Sequence, residues 1–427
     1  MKKRIYRAIS VKSMNSETLI ERIEDQHLLV NVDVAKSVQF ASIMLEDREC
    51  LGIVKWNQLE KSENACALRF LRDLANAAGS ADLVMEPSGT YGDPLRHRAR
   101  EMGYQIHRVQ PKRSRDYSEV LDGVPSQHDG KSSVILGRLH LEGLSQPWSA
   151  SSEAHRDLAA LTREADIHKS HELRNLGRLE GWFARHWPEL GKVLPLKRPT
   201  VLALLMKYGS PEAVSRNASE AKRFLKTIGG YLLKDAKISA MVRSARETVG
   251  VVPTAGEIQL GQALAREVLQ SRKALAEVKK RLEDRGRVEP SIAAMSPVLG
   301  LLTAVVLFVE VGDPREYPHA RAWVKAAGLN LKERSSGLHV GRSKLSKRGS
   351  GMARKWLYLA ALRLLQRDPI TRAWYEKKIR RDGGKIRKKA IAAVMRKLAS
   401  ALWHVGKGER FDSSKLFDTR RLSTAVA

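Results

Sequence analysis

The hydrophobic period of this chain changes once, near residue 150, and that change limits the possible folds more than any other feature. From Leu28 to about Leu144 the apolar residues come in short, β-branched runs between polar breaks: LLVNVDV, FASIMLED and CLGIVKW in succession, then ADLVMEP and YQIHRVQP. Helical stretches near 62–79 and 94–102 separate the later runs. Short runs of this kind predict strands, and strands followed by strand–helix alternation predict an α/β domain with helices packed on a mixed sheet. From about 150 to 290 only three- and four-residue spacing is present, which predicts helices alone. With 427 residues the chain is too long for one ordinary core, so the patterns are assigned to separate domains. The expected division is a basic segment 1–26, an α/β domain 27–148, a helical linker 149–289, a C-terminal helical domain 290–408 and a tail 409–427.

In the linker, Leu264, Val268, Ser271, Leu275, Val278 and Leu282 step by four and three residues in turn, a short heptad seam. A seam of that length suits either a helix of a second protomer or a helix of the same chain. Further on, PVLGLLTAVVLFVEVG followed by DPREY resembles a helix, tight turn and helix, with Gly300 and Gly312 at the turns. The longest apolar run, 298–312, is shorter than the roughly 20 residues a spanning helix needs, and it predicts a buried helix and no membrane association.

The 76 Lys and Arg against 47 Asp and Glu leave a formal charge of +29, far beyond the needs of solubility. A polyanion is the natural partner, nucleic acid before an anionic membrane surface. Residues 330–408 hold 22 Lys and Arg against 4 Asp and Glu, a surplus of 18. Two amphipathic helices are expected there, one with Met352, Trp356, Ala360 and Leu364 inward and Arg354, Lys355 and Arg363 outward. The other turns Ile391, Val394, Leu398 and Val405 inward. Two cysteines, Cys50 and Cys66, and no CxxC exclude a disulfide framework and a cysteine zinc site. The basic start MKKRIYRAIS lacks the apolar segment of a secretory signal, and a reduced, cytoplasmic setting is expected.

Three acids stand in informative places. Asp33 interrupts the apolar run LLVNVDV, where a carboxylate must find a partner or face solvent on an edge strand. Glu86 ends the strand ADLVME, the end at which open α/β sheets carry functional groups. Asp129, in SQHDGKSSVILGRL, opens a helix, where it is either an N-cap or a ligand. Oxygen donors of this kind suit Mg²⁺ and phosphoryl chemistry if the three converge.

VNVDVAKS, VMEPSGTYGDPLRHRAREMGYQIHRVQP and HDGK, in this order, resemble the RuvC-like domain of the DEDD transposases of the insertion-sequence one-ten family, which also contains the Piv-type DNA invertases. The stretch from MSPVLGLLTAVVLFVEVGDPREYPHARAW through KERSSGLHVGRSKLSKRGSGMARKW to LYLAALRL is similar to that family's second catalytic domain. The resemblance implies an RNase H-like, RuvC-like first domain, a helical or coiled-coil linker used for oligomerisation as a dimer or tetramer, and a helical domain carrying a serine nucleophile. It further implies that Asp33, Glu86 and Asp129 bind Mg²⁺ and that Ser336, with Ser335 as the fallback, forms a phosphoserine–DNA intermediate. Donor and target DNA are the implied substrates, with a structured guide RNA in the bridge-RNA branch of the family. Arg334, Arg342, Lys344, Lys347, Arg348, Arg354 and Lys355 are the expected nucleic-acid contacts. One position departs from the pattern: the family's fourth acid, one helical turn after the third, is Ser132 here. That substitution leaves open a nucleic-acid-binding descendant with impaired cleavage, and Asp122 is a distant substitute for the missing acid.

Overall fold

Strand β2 (His27–Asp33) is buried from Leu28 to Val32 and organises the first of two units into which the chain divides after Ser151. The computed structural model describes residues 6–87, 89–124, 128–333, 344–381, 383 and 387–417. Before β2 come β1 (Ile9–Ser10) and α1 (Ser16–Ile23), so residues expected to be only a basic segment contribute Leu19 and Ile23 to the core. After it come β3 (Val38–Leu45), β4 (Cys50–Asn57), α2 (Lys61–Ala77), β5 (Ser80–Met85), α3 (Asp93–Glu101) and β6 (Gln105–Val109). The unit closes with α4 (Pro111–Asp122), α5 (Asp129–Leu141) and β7 (Ser145–Pro147). The sheet order is β1-β4-β3-β2-β5-β6-β7, with β2 antiparallel to β3 and parallel to β5, and β5 parallel to β6. The mixed sheet predicted by the strand pattern is thus present, while α4 and β7 gave too short or too polar a signal to be read.

Period-two alternation divides β2 between two layers. Leu28, Val30 and Val32 pack with Phe70, Leu71 and Leu74 of α2 and with Leu95 and Ala99 of α3. Leu29 faces the other way, packing with Met44, Ile53 and Val134 of α5, and Val84 and Val109 join Ile135, Leu136 and Leu139 of the same helix. Each such burial contributes about 1.5–3 kcal/mol. Helix α5 lies close to the sheet because Gly137 has no side chain: a Cβ there would come within 2.5 Å of the Asn31 amide nitrogen and 2.7 Å of the Met44 sulfur.

The second unit is helical through α6 (Glu153–His186), α7 (Leu190–Val193), α8 (Pro199–Tyr208), α9 (Pro211–Arg216), α10 (Ala218–Gly229), α11 (Asp235–Arg246) and α12 (Ala255–Gly286). A capping box, Thr254 with Glu257, starts α12. The heptad seam is buried inside the chain: Leu275, Val278 and Leu282 pack with Leu158 and Leu161 of α6, while Leu264 and Val268 pack with Leu179, Trp182 and Phe183. The two long helices therefore run antiparallel, braced by Arg272 on Glu172 at 2.8 Å and Arg281 on Glu164 at 2.5 Å. Of the two occupants open to the seam, the structure selects a helix of the same chain.

α13 (Pro290–Leu299) and α14 (Leu301–Val311) meet at Gly300, whose φ of 79° only glycine adopts at little cost, and Gly312 at φ 106° ends the pair. α15 (Ala320–Ala326), the hairpin β8 (Leu331–Lys332) with β9 (Lys344–Leu345), α16 (Gly351–Arg367), α17 (Pro369–Arg381) and α18 (Arg387–Gly406) follow. In α18 Ile391, Val394, Leu398 and Val405 are buried as read from the sequence. In α16 the buried line is Ala353, Leu357, Ala360 and Ala361, so the expected face is rotated and Met352, Trp356 and Leu364 are only half-buried. Small alanines let that helix sit close to the apolar α14, which outweighs the pull of the larger side chains. Among the described residues, no helix is long and apolar enough to cross a membrane.

Candidate active site

Asp33, Glu86 and Asp129 converge at one end of the α5-covered face of the sheet. Leu29 and Asp33 lie on the same face of β2 by alternation, and Val32 pairs with Met85, so Asp33 ends its strand level with Glu86, the residue after β5. Helix α5 runs against that face with its first residue, Asp129, at the same end. The helix is capped by His128, whose Nδ1 accepts from the Lys131 backbone N–H at 3.2 Å, and Asp129 is left with its carboxylate exposed. This decides between the two roles open to Asp129 from sequence: it is not the cap.

Burial raises the Asp33 carboxyl, and the negative charges of Asp129 and Glu86 raise it further, to about 6, against the opposing hydrogen bond from Ser132. Ser132 thus reaches the cluster from one turn along α5 and offers its hydroxyl to Asp33. Asp122 does not join them: its carboxylate accepts from the buried Lys131 ammonium at 2.7 Å. Three carboxylates and a hydroxyl, all hard oxygen donors, fit Mg²⁺. The donor atoms of the three carboxylates do not all lie within 4.8 Å of one another.

A second cluster occupies the opposite end of the same face, and sequence reasoning missed it. His140, His107 and His27 place their Nε2 atoms 2.9, 3.2 and 3.7 Å from one oxygen, Oδ2 of Asp82. The imidazoles and the His140 hydrogen bond hold the Asp82 carboxyl below the usual range although burial opposes them. The residues are far apart in the chain and show no local ligand spacing; only the strand pairing of β2, β5 and β6 would have betrayed them.

In the second unit, Ser335, Ser336, Arg334 and Arg342 lie outside the described residues. The hairpin β8–β9 brackets residues 334–343, pairing Leu331 with Leu345 and Lys332 with Lys344. Lys344, Lys347, Arg348 and Lys355 are exposed, and Arg354 is half-buried, donating to the Gly349 carbonyl at 2.8 Å. The sequence reading therefore placed four of its five described cations on the surface and one in a partly structural role.

Residues 292–376, from α13 into α17, match the model of the Transposase IS116/IS110/IS902 family. That segment is about a fifth of the chain and contains the hairpin and the bracketed serines. The chain is also similar to an "Insertion element IS110 uncharacterized 43.6 kDa protein" of Streptomyces coelicolor, 29% identical over 176 residues. The likeness takes in 39% of this chain and 42% of that relative, less than half the length of either.

Proposed function

We propose that this protein is a DNA transposase or site-specific recombinase whose first unit is an RNase H-like, RuvC-like domain. The observation that carries the reading is the meeting of Asp33, Glu86, Asp129 and Ser132 at the carboxyl ends of β2 and β5, joined to a transposase-type match in the second unit. Asp33, Glu86 and Asp129 would hold Mg²⁺, which when bound supplies charge stabilisation at a phosphodiester undergoing displacement. Ser336 is assigned the nucleophile: its Oγ bonds to phosphorus as a sugar oxygen departs, and the serine proton ends on that departing hydroxyl. A cavity of about 490 Å³, lined in part by Lys36, Tyr91 and Arg98, lies on segments that follow Asp33 and Glu86 and offers cations and the exposed Tyr91 ring to a strand. Lys344, Lys347, Arg348 and Lys355 are assigned to phosphate contacts. A structured guide RNA and assembly as a dimer or tetramer belong to this reading; the heptad seam no longer argues for the latter, because α6 fills it.

Ser132 favours a second reading, a nucleic-acid-binding relative with impaired cleavage, since a neutral hydroxyl stands on Asp33 where a fourth carboxylate would add charge. One experiment separates the two. The protein is incubated with Mg²⁺, donor and target DNA, and RNA from its flanking region, and covalent protein–DNA adduct is measured. Adduct that disappears in Ser336→Ala and Asp33→Asn supports the recombinase; adduct that survives Ser336→Ala removes the serine assignment. No adduct with the natural chain and its appearance in Ser132→Asp supports the second reading.

A further inference from the structure

The face of the sheet covered by α5 carries a polar cluster at each end, and the function proposed above uses only one. We propose that Asp82, His107 and His140 are ligands of a structural transition-metal ion, best met by Zn²⁺, with His27 beside them at the fourth position. In a tetrahedral zinc shell with bonds of about 2.0–2.1 Å, neighbouring ligand atoms lie about 3.3 Å apart. The His140 and His107 nitrogens stand 2.9 and 3.2 Å from Asp82 Oδ2, the spacing of a ligand shell, and the donor atoms of all three residues lie within 4.8 Å of one another. The His107 and His140 rings approach to 4.5 Å between centroids at 63°, and both turn their Nε2 atoms to the same Asp82 oxygen.

Hydrogen bonding alone accounts poorly for this arrangement. Three imidazole nitrogens, including His27 at 3.7 Å, crowd a single carboxylate oxygen. The far ring nitrogens are occupied as well: His140 Nδ1 is 2.7 Å from Ser145 Oγ, and His27 Nδ1 is 2.6 Å from Ser80 Oγ. A hydroxyl held on Nδ1 fixes the ring and leaves Nε2 to point inward, the outer-sphere arrangement that orients metal-binding histidines. The ligands also sit on rigid supports. Asp82 lies on β5 between Leu29 and Gln105, and His107 on β6 between Val84 and Pro147. Their side chains are 11–21% exposed, and an ion from solvent can reach them.

Two imidazoles and one carboxylate select zinc-like ions over Mg²⁺, which favours oxygen donors. The ion would tie the C-terminal turn of α5 to β5 and β6, and α5 carries Asp129 at its other end. The cluster is therefore a staple that sets where Asp129 stands relative to Asp33 and Glu86.

The test uses the full, untagged chain, stripped with a chelator and kept in excess Mg²⁺, titrated with ZnCl₂. One equivalent of zinc should bind, and zinc-edge X-ray absorption of the natural chain should show nitrogen and oxygen at about 2.0–2.1 Å with outer scattering from imidazole rings. His107→Gln and His140→Gln should each weaken binding by about 100-fold or more, and Ser145→Ala by about 10-fold, while Asp33→Asn leaves it unchanged. Substoichiometric zinc in the natural chain, a first shell without imidazole, or affinity in both histidine variants equal to that of the natural chain would overturn the proposal. The absorption measurement needs no variant, so a misfolded substitution does not decide the outcome.

Discussion

Replacing Asp33 by Asn should make the metal-free protein more stable while removing the activity proposed for it. In the fold the Asp33 carboxyl stands at about 6 against an ordinary 3.8, so its ionised form is the disfavoured one. Taken at face value this costs the folded state about 3 kcal/mol at neutral pH, and partial solvent access reduces the figure to about 1–2 kcal/mol. Because the folded-state value is raised, the penalty is absent below 3.8, grows as the pH rises toward 6 and is complete above it. Asparagine keeps the shape and still accepts from the Ser132 hydroxyl, but it carries no charge for Asp129 and Glu86 to repel. Calorimetric melting of both proteins with chelator present should place the transition of the first unit about 2–8 °C higher in Asp33→Asn at about pH 7.5. The gap should narrow to about a third near pH 4.5, where the carboxyl is mostly neutral in the fold but still mostly ionised in the unfolded chain, and close at about pH 3, where both states are protonated. Mg²⁺ should raise the natural chain's transition and leave the variant's unmoved. A variant that melts at or below the natural chain at neutral pH, or a gap of equal size in acid, would refute the electrostatic reasoning.

Ser132→Asp adds a fourth charge to the same cluster, so metal-free stability should fall and Mg²⁺ affinity should rise, as read by melting with and without Mg²⁺. Gly137→Leu puts a side chain where even a Cβ meets Asn31 at 2.5 Å, and the first unit should lose about 2–4 kcal/mol in denaturant titration. Glu172 is buried, and although burial raises its carboxyl, Lys169 and Arg272 hold it below the ordinary value. Glu172→Gln should therefore destabilise the second unit by about 1–3 kcal/mol at neutral pH, with the loss fading as the pH falls through the carboxylate range. Lys347→Gln, Arg348→Gln and Lys355→Gln together should weaken DNA binding without regard to sequence and reduce the slope of log affinity against log salt by up to about 3, measured by fluorescence anisotropy.

What the chain settled by itself is whatever depends on near neighbours. The switch from strand runs to helical spacing placed the sheet first and the helices after it, and β2 to β6 lie where their apolar runs are. Asp33 and Glu86 were legible because each is an acid set against such a run, Glu86 at its end and Asp33 read as interrupting it, and the fold places Asp33 at the end of β2 as well. Ser132 drew notice because the resembled family carries an acid at that position, one helical turn after Asp129, and it does reach Asp33. The rest depended on which distant segments meet, and local period carries no record of that. The seam on α12 reads identically whether its partner is foreign or its own α6; only the folded chain shows Leu158 and Phe183 packed into it. Asp129 reads in sequence as either a cap or a ligand, and only the folded helix start shows that the cap is its neighbour His128. The cluster on Asp82 draws on residues 27, 107 and 140, brought together because β2 and β6 flank β5 and α5 crosses them. Strand order is a long-range pairing whose stabilisation appears only after the connecting loops close, so the sequence supplied the donors and tertiary structure alone decided that they would share one oxygen.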